Sequence, residues 1–456
     1  MSGERKRRRL IALLGVVAVA VTASPMLATP AGAELPPRAE TILRAAARDL
    51  DRYWATEFPA LYGAPYPPMG RIVAAGPTTK VPDCQGRHIS YRREVHGNAF
   101  YCLHGNYIAY DEQGLFPALA RTFGDLAPAL VLAHEWGHAI QDRAGVGADQ
   151  PSILVELQAD CFAGSWAQRV ATHATIAVRF EPTTLDEALA AYLSFRDAVG
   201  ATPSSRQAHG DAFDRINAFQ TGFEHGAPAC KPFFDAPPPI TEQEFTSAAE
   251  AASGGNLPEA EVLPSTLDLL HDVYTQVAPL TARQVHPVRT SVLPRPATCG
   301  GRSVEAPLAA TGAVYCAANR TIVINPVRLD EIYRSIGDFG VAVLVGDAYA
   351  RYAADRTGRL AGLSGRTAAL LADCSTGAWA GAFANAPSGL PSPSLKTTLT
   401  LAPGDLDKVI EAFIASDAET QGGAGPGGSV FRRVEAFRLG YFGGFAACNA
   451  TYRASA

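Results

Sequence analysis

The sequence has no excess of positive charge, no C-x-x-C pair and few charged residues overall. Its 39 basic and 44 acidic residues give 456 residues a net charge of −5. This balance argues against a nucleic-acid-binding protein, because no surplus of cations is available to displace counterions from phosphates. The lack of C-x-x-C disfavours a cysteine zinc site or thioredoxin-like chemistry. Since 47% of the residues are hydrophobic and only 18% are charged, a disordered chain is also excluded.

The N-terminal segment has the pattern of an export signal. Five basic residues at positions 5–9 precede an apolar run from Leu10 to Ala23, and Ala31-Gly32-Ala33 forms an A-x-A cleavage pattern. The run is shorter than the about 20 residues that cross a bilayer, and no later segment is long and apolar enough. We therefore expect residues 1–33 to be a cleaved signal peptide and the mature protein to be secreted or in the cell envelope. An uncleaved membrane anchor is the alternative.

The chain contains an internal repeat. The run from Ala129 to Gly145 is similar to the run from Ala342 to Gly358, 213 positions later, and the Ala-Asp-Cys at 159–161 recurs at the same offset. The eight cysteines divide into four per repeat, and an even number in an exported chain favours disulfides. Four cysteines allow three pairings, so the pairing within each repeat stays open. The pairs that we expect are Cys84–Cys102, Cys161–Cys230, Cys299–Cys316 and Cys374–Cys448.

The repeat also sets the predicted domains. One unit covers residues 36–235 and the other 256–456, with a linker at 236–255 that contains Pro237-Pro238-Pro239. We expect the two units to pack against each other. The fold class is predicted to be α+β, mainly helical with a small sheet in each unit. In the first unit, the predicted strands are about 98–102 and 107–110, and the predicted helices are about 39–54, 126–144, 152–171, 184–199 and 210–224.

One predicted helix carries a metal-binding pattern, His134-Glu135-Trp136-Gly137-His138, which is H-E-x-x-H. Residues four apart lie on one face of a helix, so both imidazoles can bind a single ion. Glu135 lies about 100° further round the helix, where its carboxylate can reach a metal-bound water rather than the metal. An accidental match is the alternative, and the apolar run from Ala129 to Ala133 disfavours it because active-site helices of metallopeptidases are buried.

A catalytic zinc ion needs three protein ligands and one open position. Glu156, on the next predicted helix, is the candidate third ligand, and Asp160 lies four residues later on the same face. Asp160 is then placed to accept the other N–H of His134 and fix its tautomer. The alternative for each carboxylate is a solvated helix residue.

These motifs resemble a family of bacterial neutral zinc metallopeptidases. The resemblance covers essentially the whole first unit and implies a gluzincin-like peptidase, with His134, His138 and Glu156 on the metal and Glu135 as the catalyst. It also marks His209, for which we consider a role as donor to the oxyanion; a plain helix-start residue is the alternative. The repeat, read with this resemblance, predicts two zincin-like units in tandem, each with an active-site-type helix under a short sheet; the duplication departs from the family, whose members are mostly single units. The resemblance rests on residues 98–102, 133–138, 156–164, Trp166, His209, Gly210, Arg215, Phe219 and Gly222.

The second unit lacks the candidate zinc ligands and the candidate base. At the offset of the repeat its residues are Asp347 for His134, Ala348 for Glu135, Arg351 for His138 and Ala369 for Glu156. A permanently cationic arginine cannot bind zinc, and alanine cannot act as a base. The sequence therefore predicts a catalytically silent copy.

The function predicted from the sequence is a secreted zinc metallopeptidase with one Zn²⁺ per chain and a peptide or protein substrate. The strand at residues 98–101 could pair with an extended peptide. We expect no nucleic-acid partner, and membrane contact only if the leader stays uncleaved. Two alternatives remain open. One is a non-catalytic peptide-binding module with a structural or vestigial zinc; the other is a di-iron oxidase, which needs a second E-x-x-H motif that the sequence lacks.

Overall fold

The computed structural model describes most of the chain after the predicted leader. Residues 1–31 of that leader lie outside the described residues, so the predicted signal peptide is not tested. Among the residues that are described, no helix is long and apolar enough to cross a membrane. The described ranges are 32–147, 149–172, 182–276, 288–292, 296–384, 399–418 and 429–453.

The first half combines helices with a three-stranded sheet. In this sheet β3 (Tyr107–Asp111) is central, with β1 (Arg71–Ala75) parallel to it on one side and β2 (Ala99–Cys102) antiparallel on the other. The helices are α1 (Pro37–Tyr62), α2 (Leu115–Phe123), α3 (Ala127–Ala144), α4 (Ser152–Thr172), α5 (Pro182–Phe195), α6 (Ala212–His225) and α7 (Ala227–Cys230).

The second half has the same sheet topology. Here β8 (Thr321–Ile324) is central, with β4 (Arg289–Ser291) parallel to it and β7 (Ala313–Cys316) antiparallel. A separate hairpin pairs β5 (Thr298–Cys299) with β6 (Arg302–Ser303). The helices are α8 (Ala248–Ser253), α9 (Glu259–Gln276), α10 (Glu305–Thr311), α11 (Pro326–Ser335), α12 (Asp338–Arg356), α13 (Gly365–Phe383), α14 (Asp405–Ala418) and α15 (Val430–Thr451).

The predicted α+β class is confirmed, and helix α3 packs against β2 while α12 packs against β7. The hairpin β2–β3 and the helices α3 and α4 lie where the sequence predicts them. Helix α3 ends because Gly145 adopts the left-handed conformation, at φ +75°, and its N–H bonds back to the last turn. The division of the chain into two tandem units stays a prediction.

Three first-half elements were not predicted: β1, α2 and the short α7. Helix α2 begins where it does because the buried carboxylate of Asp111, at the end of β3, accepts the N–H groups of Gly114 and Leu115 at 3.0 and 3.2 Å. The same carboxylate accepts the N–H of Gly97 at 2.8 Å, just before β2. A single side chain therefore fixes both the start of the strand and the start of the helix.

The helix predicted at about 184–199 was too long at its C-terminal end. Helix α5 ends at Phe195 rather than near residue 199. The chain leaves the helix because Asp197 turns to bond with residues 209 and 210 instead of continuing the helical pattern.

Four disulfides close loops in the two halves, and none of the eight cysteines is free. They are the pairs expected from the repeat. Two of the bonds, Cys161–Cys230 and Cys374–Cys448, tie the helices α4 and α13 to residues at the C-terminal side of each half. The bonds are Cys84–Cys102, Cys161–Cys230, Cys299–Cys316 and Cys374–Cys448.

Glycines let pairs of helices cross in close contact. A Cβ atom added to Gly222 on α6 would lie 1.8 Å from the carbonyl oxygen of Cys161 on α4. In the second half, a Cβ on Gly440 of α15 would lie 1.8 Å from the carbonyl oxygen of Cys374 on α13. The backbones can approach this closely only because the glycines have no side chain.

Replacing Gly222 by alanine should destabilise the protein by about 2 kcal/mol or more, because the added methyl group forces α6 away from α4. Without this contact, glycine to alanine within a helix would stabilise by up to about 1 kcal/mol. Urea unfolding with the disulfides intact measures the effect. The control is Gly365→Ala at the start of α13, where a Cβ meets no atom within 4 Å. Equal stability of the two variants would contradict the argument.

Candidate metal centre

Helix α3 presents two histidines side by side in the core. His134 and His138 are one turn apart, and both side chains are buried. Their Nε2 atoms lie 3.1 Å from each other, with the rings nearly perpendicular. The two nitrogen lone pairs therefore point towards a common position beside the helix.

Glu156 on helix α4 completes a set of three ligands. Its carboxylate oxygens lie 3.2 Å from His134 Nε2 and 3.5 Å from His138 Nε2. The side chain is fully buried, yet neither oxygen has a hydrogen-bond partner. Among the described residues this is the one group of three potential ligands whose atoms lie within 4.8 Å of one another.

The spacing of these atoms fits a zinc ion. Zinc binds nitrogen and oxygen at about 2.0–2.1 Å in a tetrahedral arrangement, so its ligand atoms are separated by about 3.3 Å. Separations of 3.1, 3.2 and 3.5 Å agree with that value. A buried carboxylate without a donor is costly unless a cation or proton compensates it. The donor set and its geometry therefore fit a divalent zinc ion.

Each histidine is oriented through its second ring nitrogen. Asp160 lies 2.8 Å from Nδ1 of His134, as the E-x-x-x-D spacing predicts. Gln141 Oε1 lies 2.9 Å from Nδ1 of His138. With an Nδ1–H donated to each oxygen, both Nε2 atoms are free to bind metal. Sequence reasoning missed Gln141, although its position three residues after His138 on the same helix was a usable signal.

Arg215 on helix α6 holds Asp160 from the other side. Its Nε and Nη2 atoms donate to the two oxygens of Asp160 at 2.8 and 3.0 Å, and its Nη1 donates to the carbonyl of Phe195. Burial alone would raise the pKa of Asp160, but Arg215 and then His134 outweigh it and hold that pKa below its ordinary value. The sequence marked Arg215 only by resemblance and gave no reason for its presence.

The site favours positive charge at its centre. Burial would lower the pKa of His134, yet Asp160 and then Glu156 raise it to about 10. Burial would raise the pKa of Glu156, but His138 and His134 hold it well below its ordinary value. A metal ion bound here competes with a proton, so zinc affinity should decrease as the solution becomes more acidic.

Glu135 lies next to the three ligands without joining them. Its Oε2 accepts the backbone N–H of Tyr101 in β2 at 2.8 Å, whereas its Oε1 is buried and has no partner. Burial raises the pKa of this carboxylate. A buried carboxylate that is anchored at one oxygen and open at the other is suited to accept and return a proton.

His209 reaches the same region from the segment between α5 and α6. Its Nδ1 is 3.1 Å from Asp197 Oδ1, and its backbone N–H donates to Asp197 Oδ2 at 2.6 Å. Burial would lower its pKa, but Asp197 and Glu156 raise it. The charge of His209 in turn acts on Glu156. His209 therefore interacts electrostatically with one of the three candidate ligands, Glu156, while its role stays a prediction.

Around Asp197 lies a group of carboxylates, which we call the acidic cluster: the half-buried Asp197 and the buried Asp211, Asp214, Glu242 and Asp407. Glu242 comes from the predicted linker, and neither of its oxygens accepts a hydrogen bond from a described residue. Burial, together with the charges of Asp197, Asp214 and Asp407, raises its pKa to about 8. The cluster has Arg196 as a close cation, paired with Asp407.

Glu242 should make the protein less stable as the pH rises. An unfolded glutamate ionises near pH 4.3, whereas Glu242 keeps its proton up to about pH 8 in the folded state. Between these values the folded state binds more protons, so the free energy of unfolding falls with increasing pH. In Glu242→Gln we expect a weaker fall between pH 5.5 and 8, measured by urea unfolding. The exposed Glu244→Gln is the control; identical pH dependence in both variants would contradict the assignment.

The second half fills the equivalent place with an ion pair. Arg351 Nε donates to Asp347 Oδ2 at 3.0 Å, and Ala369 supplies no carboxylate. The second half does contain the same arginine–aspartate pair as the first: Arg433 donates to Asp373, as Arg215 donates to Asp160. An arginine in the place of the second histidine leaves no set of zinc ligands at this position.

Comparisons with known proteins point to the same half of the chain. Residues 93–233 match the family model described as "Putative neutral zinc metallopeptidase". The chain is 32% identical over 154 residues to the uncharacterized protein Rv2575 of Mycobacterium tuberculosis, covering 28% of this chain and 52% of that protein. It is 31% identical over 131 residues to the uncharacterized protein YpfJ of Escherichia coli K12, covering 24% and 44%.

These matches are partial. The chain spans about half the length of the curated relatives it matches. No solved structure matches it. The matched residues include all three ligands, Glu135 and His209, and they stop before the second half begins.

Proposed function

We propose that this protein is an extracytoplasmic zinc metallopeptidase that hydrolyses peptide bonds at one zinc ion per chain. One observation carries the proposal: two imidazole nitrogens and an unpaired carboxylate converge in the core, with an unpaired oxygen of Glu135 beside them. A structural zinc site would not need that extra carboxylate. The family match over residues 93–233 supports the same chemistry.

Glu135 acts as the general base in this proposal. A bound zinc ion supplies a Lewis acid that polarises the scissile carbonyl and lowers the pKa of a coordinated water towards about 7. Glu135 accepts the proton from the attacking water at Oε1 and then delivers it to the leaving amine. Its bond to the Tyr101 N–H holds the carboxylate in place during both transfers.

Strand β2 is our candidate for the surface that binds the substrate backbone. It lies at the edge of its sheet, pairs with β3 on its other side, and contacts α3 directly. An extended peptide that adds to this edge would run past Glu135, because Glu135 is bonded to Tyr101 of the same strand. His209, held by Asp197, is our candidate donor to the developing oxyanion.

The second half is proposed to be a silent relative of the first. The matching sheet topology, the matching disulfides and the two equally close helix crossings support a duplication. The disulfides also support an oxidising compartment outside the cytoplasm. Export through the leader at residues 1–33 is part of the proposal.

The test is hydrolysis of an unfolded protein by the purified chain from residue 34 onwards. We expect one zinc per chain by metal analysis, and cleavage that stops with a zinc chelator and returns with added zinc. Bound zinc without any cleavage would favour the non-catalytic binding module. Two irons per chain, or chelator-resistant cleavage, would contradict the proposal.

A further inference from the structure

The second half of the chain contacts the segment that carries His209. Two aspartates hold this segment, Asp197 directly and Asp407 through the residues that flank it. Asp197 binds it directly, because the N–H groups of His209 and Gly210 donate to Asp197 Oδ2 at 2.6 and 3.0 Å. The backbone N–H of Asp197 returns a bond to the carbonyl of Gly210 at 3.0 Å. His209 therefore cannot move without Asp197.

Asp407, on α14 of the second half, binds the chain on both sides of this arrangement. Its Oδ2 pairs with Arg196 Nη1 at 2.9 Å, one residue before Asp197. Its Oδ1 accepts the N–H of Phe213 at 2.9 Å, in the first turn of α6 and three residues after Gly210. The residue is 1% exposed, so water does not replace either bond.

The contact at Phe213 also reaches the metal centre through α6. This helix carries Arg215, which grips Asp160 and thereby His134. A carboxylate at a helix N-terminus satisfies N–H groups that have no partner within the helix. Asp407 thus holds the start of α6 together with the N-cap residue Asp211, whose side chain accepts the N–H of Asp214.

We infer that Asp407 is a positioning residue for the active site, through which the silent half holds His209 and α6 in their working geometry. The inference rests on the proposed peptidase function. It gives the second half a role that needs neither zinc nor a base, which agrees with the loss of both from that half. Since Asp407 bonds to Arg196 and Phe213 rather than to a ligand or Glu135, its effect on the site is indirect.

The experiment compares Asp407→Ala and Asp407→Asn with Glu224→Gln. Glu224 forms an ion pair with Arg438 between the two halves, but at the opposite end of α6. We expect Asp407→Ala to lower kcat about 10- to 100-fold, because small displacements of a catalytic group cost that much. KM and zinc content should stay near wild type. Asp407→Asn keeps an acceptor for Phe213 and should lose less, whereas Glu224→Gln should stay within about twofold.

A second readout does not depend on hydrolysis. Diethylpyrocarbonate modification of His209, followed by mass spectrometry, should be several times faster in Asp407→Ala, because the residue is only 9% exposed while the segment is held. The exposed histidines 88, 96, 104 and 225 are internal references. Should Asp407→Ala fail to fold, Asp407→Asn and Arg196→Met test the same contacts.

The results of these experiments distinguish a failure of the positioning role of Asp407 from a failure of the peptidase proposal. Wild-type kcat and unchanged His209 reactivity in Asp407→Ala would overturn the positioning role and leave the peptidase intact. An equal loss in Glu224→Gln would overturn it as well, because any interface contact would then suffice. If the wild-type protein hydrolyses no substrate, the peptidase proposal is contradicted. The rate of His209 modification would still decide whether Asp407 holds the segment.

Discussion

Replacing Glu135 by glutamine should lower turnover by about 10²–10⁴-fold while the zinc stays bound. Glutamine has the same shape, and its Oε1 can still accept the Tyr101 N–H that Glu135 accepts at 2.8 Å. It cannot take a proton from water at neutral pH, so the proton transfer is lost and the fold is kept. The measurements are kcat on a peptide substrate and zinc per chain.

Glu40→Gln is a suitable control, because Glu40 is an exposed carboxylate on α1 that pairs with Arg44. It should turn over substrate as the wild type does. A zinc-loaded Glu135→Gln with undiminished kcat would remove Glu135 from the mechanism and leave the metal as the whole catalyst. Loss of zinc from Glu135→Gln would show instead that this carboxylate serves binding of the ion.

Replacing Glu156 by glutamine should abolish stoichiometric zinc binding. A neutral amide removes one of three ligands and the charge that compensates the ion, and even outer partners of a zinc site are worth about 10- to 100-fold in affinity. We therefore expect the zinc content to fall from one per chain to below about 0.1 after dialysis, and hydrolysis to fall with it. The thermal midpoint should no longer rise on adding zinc, since a ligand stabilises only the state that binds it.

The second half offers the matched control for this prediction. Arg351→Met changes the residue that the predicted repeat aligns with His138, within the ion pair with Asp347. It should leave one zinc per chain and wild-type hydrolysis. If zinc binding were lost in Arg351→Met but retained in Glu156→Gln, the metal would belong to the second half and the assignment of the site would be wrong.

The candidate metal ligands could be predicted from the sequence because their geometry is local. His134 and His138 are four residues apart on one helix, and the periodicity of 3.6 residues places both on one face. The same periodicity places Asp160 one turn beyond Glu156. Gly145 marks the end of α3 because it can adopt a positive φ at no cost. The repeat supplied the expected cysteine pairs.

Only the tertiary structure shows what supports these ligands. Arg215 lies 55 residues beyond Asp160 in the chain and meets it because Gly222 lets α6 cross α4 in close contact. Asp407 meets Phe213 across 194 residues, from the other half of the molecule. The local periodicity of a sequence indicates which face of a helix a residue occupies. It carries no information about which distant element will pack against that face. The ligands are thus encoded within single helices, whereas the network that orients them is decided by how the helices and the two halves pack.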